Sequence, residues 1–195
     1  MRLTPSALAS ALLVAALSTL QGCALPIVAV GAAAGTGALM AEDRRSSGTY
    51  LDDEGIEFKA AARIGEKYTD NTHVNVTSYN KIVLLTGEVA NVDAKADIAR
   101  IVAAIPGVRQ VVNELVVGTV STLTQRSSDT YTTTRVKTRF IDGRRFQPNH
   151  VKVVTEAGVV YLMGIVTKSE AAAAADIASG AKDVKKVVQV FEFKD

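Results

Sequence analysis

His73 and His150, the serine pairs Ser46-Ser47 and Ser127-Ser128, the acidic triplet Asp52-Asp53-Glu54 and Cys23 are the side chains whose types could do chemistry. Their spacing decides whether they could act together. Each histidine precedes a β-branched apolar run and lacks a nearby third ligand type, so the pair forms no zinc set. The serines lie in polar stretches with no placed base to activate them. The acidic triplet reads as support for a helix N-terminus through the dipole. Gly31 to Gly37 is followed by no Lys-Ser/Thr and is not a phosphate loop. The sequence therefore predicts no catalytic centre and no metal. What remains is charge. Between Thr130 and Thr155, Arg135, Lys137, Arg139, Arg144, Arg145 and Lys152 stand against Asp142 alone. On a helix starting near Asp129, Tyr131, Arg135 and Thr138 share one face, with Arg139 beside them. Such a face suits an anionic surface, each basic residue contributing about 1 kcal/mol, and tyrosine brings an apolar ring with a polar tip. The same run also reads as a solvated helix face.

Cys23 is the only cysteine and has no disulfide partner within the chain. It ends Leu20-Gln21-Gly22-Cys23, after an apolar core from Ala7 to Leu20 and a short head carrying Arg2. That is the layout of a secretory signal over residues 1–22. Leucine three positions before the cysteine and glycine one before it resemble a bacterial lipobox, which implies cleavage before Cys23 and covalent lipid on it. No cofactor is expected beyond that lipid. One buried acyl chain binds membranes marginally and two or more hold nearly irreversibly. Ala24, rather than aspartate, follows the cysteine. By resemblance to lipoprotein sorting, that implies the outer membrane, on its periplasmic face. Such an address argues against nucleic acid as a partner.

Behind the cysteine, residues 23–49 read as a Gly- and Ala-rich stem and polar linker. The rest repeats itself. His73-Val74-Asn75-Val76-Thr77 returns as His150-Val151-Lys152-Val153-Val154, and Ile82 to Val89 returns as Val159 to Val166. Ala96-Asp97-Ile98-Ala99 returns as Ala175-Asp176-Ile177-Ala178, and Val108 to Val112 as Val184 to Val188. Two domains follow, 50–120 and 121–195. The first has seven Lys/Arg against ten Asp/Glu and the second twelve against eight, so the halves suit different partners, or each other. Each copy reads helix, strand, strand, helix, strand: an α+β fold of two αββαβ modules, each a three-stranded mixed sheet with two helices on one face. Asp129 reads as the N-cap of the second copy's first helix, and Val108 to Val117 as the last strand of the first copy. Gly87 and Gly164 occupy one repeat position on the core-facing side of a strand, where another backbone must pass too close for a side chain; a crossing helix is the expectation. The opposite strand face, Ile82 and Leu84 with Val159, Tyr161 and Met163, is also apolar and calls for cover from the other copy or a partner.

V-x-L-x-G-x-V after a short strand, then an Ala-rich helix, then V-x-x-V-x-N-x-L, resembles the BON domain. Two such copies behind a lipobox resemble the dual-BON outer-membrane lipoproteins. That likeness includes Asp43-Arg44-Arg45-Ser46-Ser47-Gly48-Thr49, Asp52-Asp53, Val151 to Glu156, Leu162 to Thr167 and Ala173 to Ser179. It implies a non-enzymatic envelope-integrity protein. Such a protein binds anionic phospholipid, phosphatidylglycerol and cardiolipin, through the first helix of the second module. It also implies enrichment at the division site and a link to the outer-membrane protein assembly machinery. The lipid-binding residues so implied are Tyr131, Arg135, Thr138, Arg139, Arg144 and Arg145. Tyr131 stands where the resemblance leads one to expect tryptophan, and inserts less apolar area. The alternative is a periplasmic protein-binding adaptor or stress factor whose basic face meets an acidic protein.

Overall fold

The computed structural model describes residues 43–195. The signal segment, Cys23 and the stem lie outside the described residues. The first module runs α1 (Ser47–Lys67), β1 (His73–Tyr79), β2 (Ile82–Val89), α2 (Val92–Ala103), β3 (Gln110–Asn113) and β4 (Val116–Val117). The second runs α3 (Leu123–Gly143), a 3-10 turn (Pro148–His150), β5 (Lys152–Glu156), β6 (Val159–Val166), α4 (Lys168–Ser179) and β7 (Lys186–Phe193).

Each sheet has a long central strand, β2 or β6, paired antiparallel with the strand before it and parallel with the strand after α2 or α4. Both hairpins close through two residues of positive φ, Asn80 and Lys81 in one, Ala157 and Gly158 in the other. That twist matches the flanking strands. The expected last strand of the first module is interrupted into β3 and β4, both on β2 in one register. The break lies opposite Gly87, whose φ of +111° takes β2 out of extended geometry. Gly164 has no positive φ, and β7 runs unbroken along β6.

Helix placement follows the apolar spacing. Ile56, Ala60 and Ile64 of α1 and Ala94, Ile98 and Val102 of α2 close over Val83, Leu85 and Val89. Val136 and Phe140 of α3 and Ala174, Ile177 and Ala178 of α4 close over Val160, Leu162 and Val166. The other sheet faces meet each other: Tyr79, Ile82 and Leu84 pack with Tyr161 and Met163 in a third cluster. The layers are thus helices, sheet, sheet, helices, and the cover required by the second apolar face comes from the other copy. Polar contacts rim this junction. Lys152 lies 3.0 Å from Glu57, Arg109 lies 2.9 Å from Glu192, and Asn75 donates to Glu156 at 2.7 Å.

Three expectations are corrected. The N-cap of α3 is Thr122, in a capping box with Gln125. Asp129 lies within the helix and accepts the backbone N–H groups of Ala157 and Gly158, each at 2.9 Å. Asp53 does the same in the first module, accepting from Ser78 Oγ at 2.6 Å, Asn80 N at 2.8 Å and Lys81 N at 2.7 Å. It lies inside α1, which Ser46 caps, so its carboxylate fastens a hairpin and not a helix start. No helix crosses at the glycines either. A Cβ on Gly87 would stand 2.0 Å from the His73 carbonyl oxygen, and one on Gly164 would stand 2.3 Å from that of His150. The close backbone belongs to the first residue of β1 in one module and to the 3-10 turn leading into β5 in the other.

Residues 43–46, read as linker, are fastened to both modules. Arg44 donates to Glu170 at 2.7 and 2.8 Å and to the Ile165 carbonyl at 2.7 Å. Arg45 pairs with Asp43 and Asp53, its guanidinium 4.2 Å from the Tyr79 ring centre and 4.9 Å from that of Tyr50. Burial pushes the Tyr79 hydroxyl up to about 12.

Candidate functional site

The outer surface of α3 carries the predicted site residues. Val136 and Phe140 point inward, and the 3.6-residue period then turns Tyr131 and Thr138 outward. Tyr131 is 63% exposed in the first half of the helix. Hydroxyls along this surface are satisfied within the helix: Thr130 donates to the Arg126 carbonyl, Thr134 to that of Thr130 and Thr138 to that of Thr134, each at 3.0 Å. Their polar needs are met without outside partners.

The arginines are less alike than their spacing suggests. Arg135 is held. Its guanidinium donates to Asp183 at 2.7 Å and to the Lys182 carbonyl at 2.8 Å, and lies 4.6 Å over the Tyr131 ring. The hydrogen bond it donates to Asp183 raises its pKa above the ordinary arginine value. Arg145 is paired with Asp176 of α4. Arg139 is exposed, its guanidinium beside Gly180 at the end of α4. Arg144, with φ +47°, ends α3 in the left-handed conformation and is exposed. Lys137 is exposed as well. Among the described residues, Lys137, Arg139 and Arg144 form no ion pair. The fold thus brings Tyr131 and Arg135 into direct contact and sets Arg139, Arg144 and Lys137 free. Arg135 and Arg145 each already have a carboxylate.

Sequence reasoning missed four members of this surface. Leu123 and Ile141 are 77% and 62% exposed on α3, and their helical spacing from Tyr131 was available as a signal. Asp183 and Asp176 carried none, because they reach α3 from another element.

The two equivalent histidines have ordinary local partners. His150 Nδ1 lies 3.3 Å from Glu170, and His73 Nε2 lies 3.2 Å from Asn75. No group of three or more His, Cys, Asp or Glu side chains among the described residues is placed to hold a metal. No helix among them is long and apolar enough to cross a membrane.

Comparison with known families matches the BON domain model twice, over residues 52–119 and 128–195. The chain belongs to the BON-domain family. The two BON matches coincide with the two modules. Over 188 residues the chain is 43% identical to the Outer membrane lipoprotein DolP of Haemophilus influenzae, covering 95% of each. It is 32% identical over 153 residues to the 21 kDa hemolysin of Actinobacillus pleuropneumoniae, covering 77% of this chain and 79% of that one. It is 28% identical over 144 residues to the Osmotically-inducible protein Y of Escherichia coli, covering 72% of each. The likeness to DolP extends along nearly the full chain, so this is a dual-BON, DolP-like protein.

Proposed function

We propose that this chain is a non-enzymatic outer-membrane lipoprotein, held by lipid on Cys23 at the periplasmic face, whose α3 surface docks on anionic phospholipid. Phosphatidylglycerol and cardiolipin are the headgroups in question, and envelope integrity near the division site and outer-membrane protein assembly are the processes served. The observation that carries the reading is the exposed Tyr131 ring in a helix surface with three cations, Lys137, Arg139 and Arg144, that form no ion pair among the described residues. At about 1 kcal/mol each near an anionic bilayer, they contribute on the order of a hundredfold in affinity. The relative named as an outer membrane lipoprotein supports the address.

The test uses residues 43–195, which contain all three apolar clusters. This fragment should co-sediment with vesicles containing phosphatidylglycerol or cardiolipin and not with neutral phosphatidylcholine vesicles. Binding should weaken as salt rises, since screening acts within about 10 Å at 0.1 M. Arg139→Ala with Arg144→Ala should lower both affinity and salt slope, while Tyr131→Ala should lower affinity at an unchanged slope. Equal binding to neutral vesicles would reject the docking surface.

One observation favours the adaptor reading. Leu51 and Phe58, seven residues apart on the outer face of α1, are 62% and 77% exposed. A protein partner on that face would be lost in Phe58→Ser with lipid binding intact.

A further inference from the structure

Asp183 occupies a place where its backbone is strained. Its φ is +71°, a region that non-glycine residues seldom enter. The repeat shows what that turn prefers. In the first module the equivalent turn after α2 carries Gly107, with φ +97°. The correspondence rests on hydrogen bonds as well as order. Val108 N donates to the Ile105 carbonyl as Val184 N does to that of Ala181. Arg109 N and Lys185 N each then reach a carbonyl of their hairpin turn. One copy answers the left-handed requirement with glycine; the other places a carboxylate there.

That carboxylate has a definite target. It takes the guanidinium of Arg135 at 2.7 Å, and the neighbouring Lys182 carbonyl accepts from the same nitrogen at 2.8 Å. Arg135 in turn lies against Tyr131. The pair remains open to solvent, the Arg135 and Asp183 side chains being 25% and 48% exposed. Ion pairs so placed are weak and readily exchanged. A phosphodiester carries the same single negative charge as a carboxylate and accepts the same bidentate donors.

We propose that Asp183 is an internal competitor for lipid phosphate: it holds Arg135 in the free protein and yields it to a headgroup when α3 docks. This rests on the α3 docking reading. Exchange of one anion for another brings little gain at a sparse anionic surface and proceeds by mass action at a dense one. Asp183 thereby sets the density of anionic lipid at which the protein binds, and makes the second module selective for membrane regions rich in such lipid.

The experiment is a partition series of residues 43–195 on phosphatidylcholine vesicles with rising phosphatidylglycerol content, for wild type, Asp183→Asn, Arg135→Ala and the double variant. Asp183→Asn should bind several-fold more tightly at low phosphatidylglycerol content, a size typical of an exposed pair. The gain should shrink as phosphatidylglycerol content rises. In the Arg135→Ala background the same change should do nothing, because the competed group is gone. Asp183→Gly should reproduce the gain and melt no lower than wild type, since glycine suits this φ. Unchanged or weaker binding by Asp183→Asn, or an equal gain without Arg135, would overturn the proposal; the second result would show a general charge effect. Absence of wild-type binding at every phosphatidylglycerol content would overturn the docking reading itself, and this inference with it.

Discussion

At the scale of single residues, the glycines and aspartates repeated between modules do the structural work. Gly87 and Gly164 admit a carbonyl oxygen that any Cβ would strike. Even alanine should therefore destabilise, by about 1–3 kcal/mol. Gly87→Ala should be the worse of the two, because only Gly87 also needs a positive φ. Thermal melts of both variants check this, and equal losses would show that φ contributes nothing. Asp53 and Asp129 are acceptors for N–H groups of their hairpin turns. Asp129→Asn puts an amide donor against at least one of those N–H groups. Its expected loss is about 1–3 kcal/mol, read as a lower denaturant midpoint and faster amide exchange at Ala157 and Gly158. In the sequence the aspartates read as helix starts, and only the glycines' shared repeat position was legible. The aspartates' partners were not: the contacts of Asp129 lie 28 and 29 residues away along the chain.

At the scale of elements, the stretch before α1 and the start of α4 form a joint between modules. Glu170 completes the capping box of α4 with Thr167 and receives both arms of Arg44. The hydrogen bond from Arg44 holds its carboxyl down to about 2, against an ordinary value of 4.5. A depressed carboxyl contributes its stability fully above the unfolded value and loses it as pH falls through the folded one. Glu170 thus stabilises the protein above about pH 4.5 and ceases to as the pH drops to about 2. Glu170→Gln should melt below wild type at neutral pH, with the gap closing across that acid window. A gap independent of pH would show that the carboxylate charge is not what Arg44 reads. Composition marked residues 43–46 as linker because they are short and polar; the buried Arg45, with its side chain 6% exposed, shows that charge can be a packing element when carboxylates and aromatic rings surround it.

At the scale of the whole molecule, the sheets joined face to face make one body of two BON modules. Leu84 of the first module is fully buried against Tyr161 and Met163 of the second. Leu84→Ala should cost about 2–5 kcal/mol. Its mark should be faster hydrogen exchange in β6 as well as β2, with a single melting transition kept. Exchange confined to β2 would mean the modules are energetically separate. Tyr50 and Glu54 of α1 and Lys137, Phe140 and Ile141 of α3 line one cavity where the modules meet.

Local pattern was enough to determine a great deal. The duplicated order of elements, the period-2 strands and 3.6-period helices, the hairpin turns and the core-facing Val136 and Phe140 all follow from residues near one another in sequence. Such periodicities are imposed by backbone geometry itself. The basic surface of α3 was visible for the same reason. Tertiary structure alone decided which of its arginines are free. Asp183 is 48 residues from Arg135, and Glu170 is 126 from Arg44. Contacts at that separation depend on how finished elements pack, and no repeat or period encodes them. The left-handed turn shows the division most clearly. Gly107 and Asp183 are unlike residues at like positions, and only the fold reveals that one satisfies the backbone while the other, in the same conformation, reaches across to hold a guanidinium.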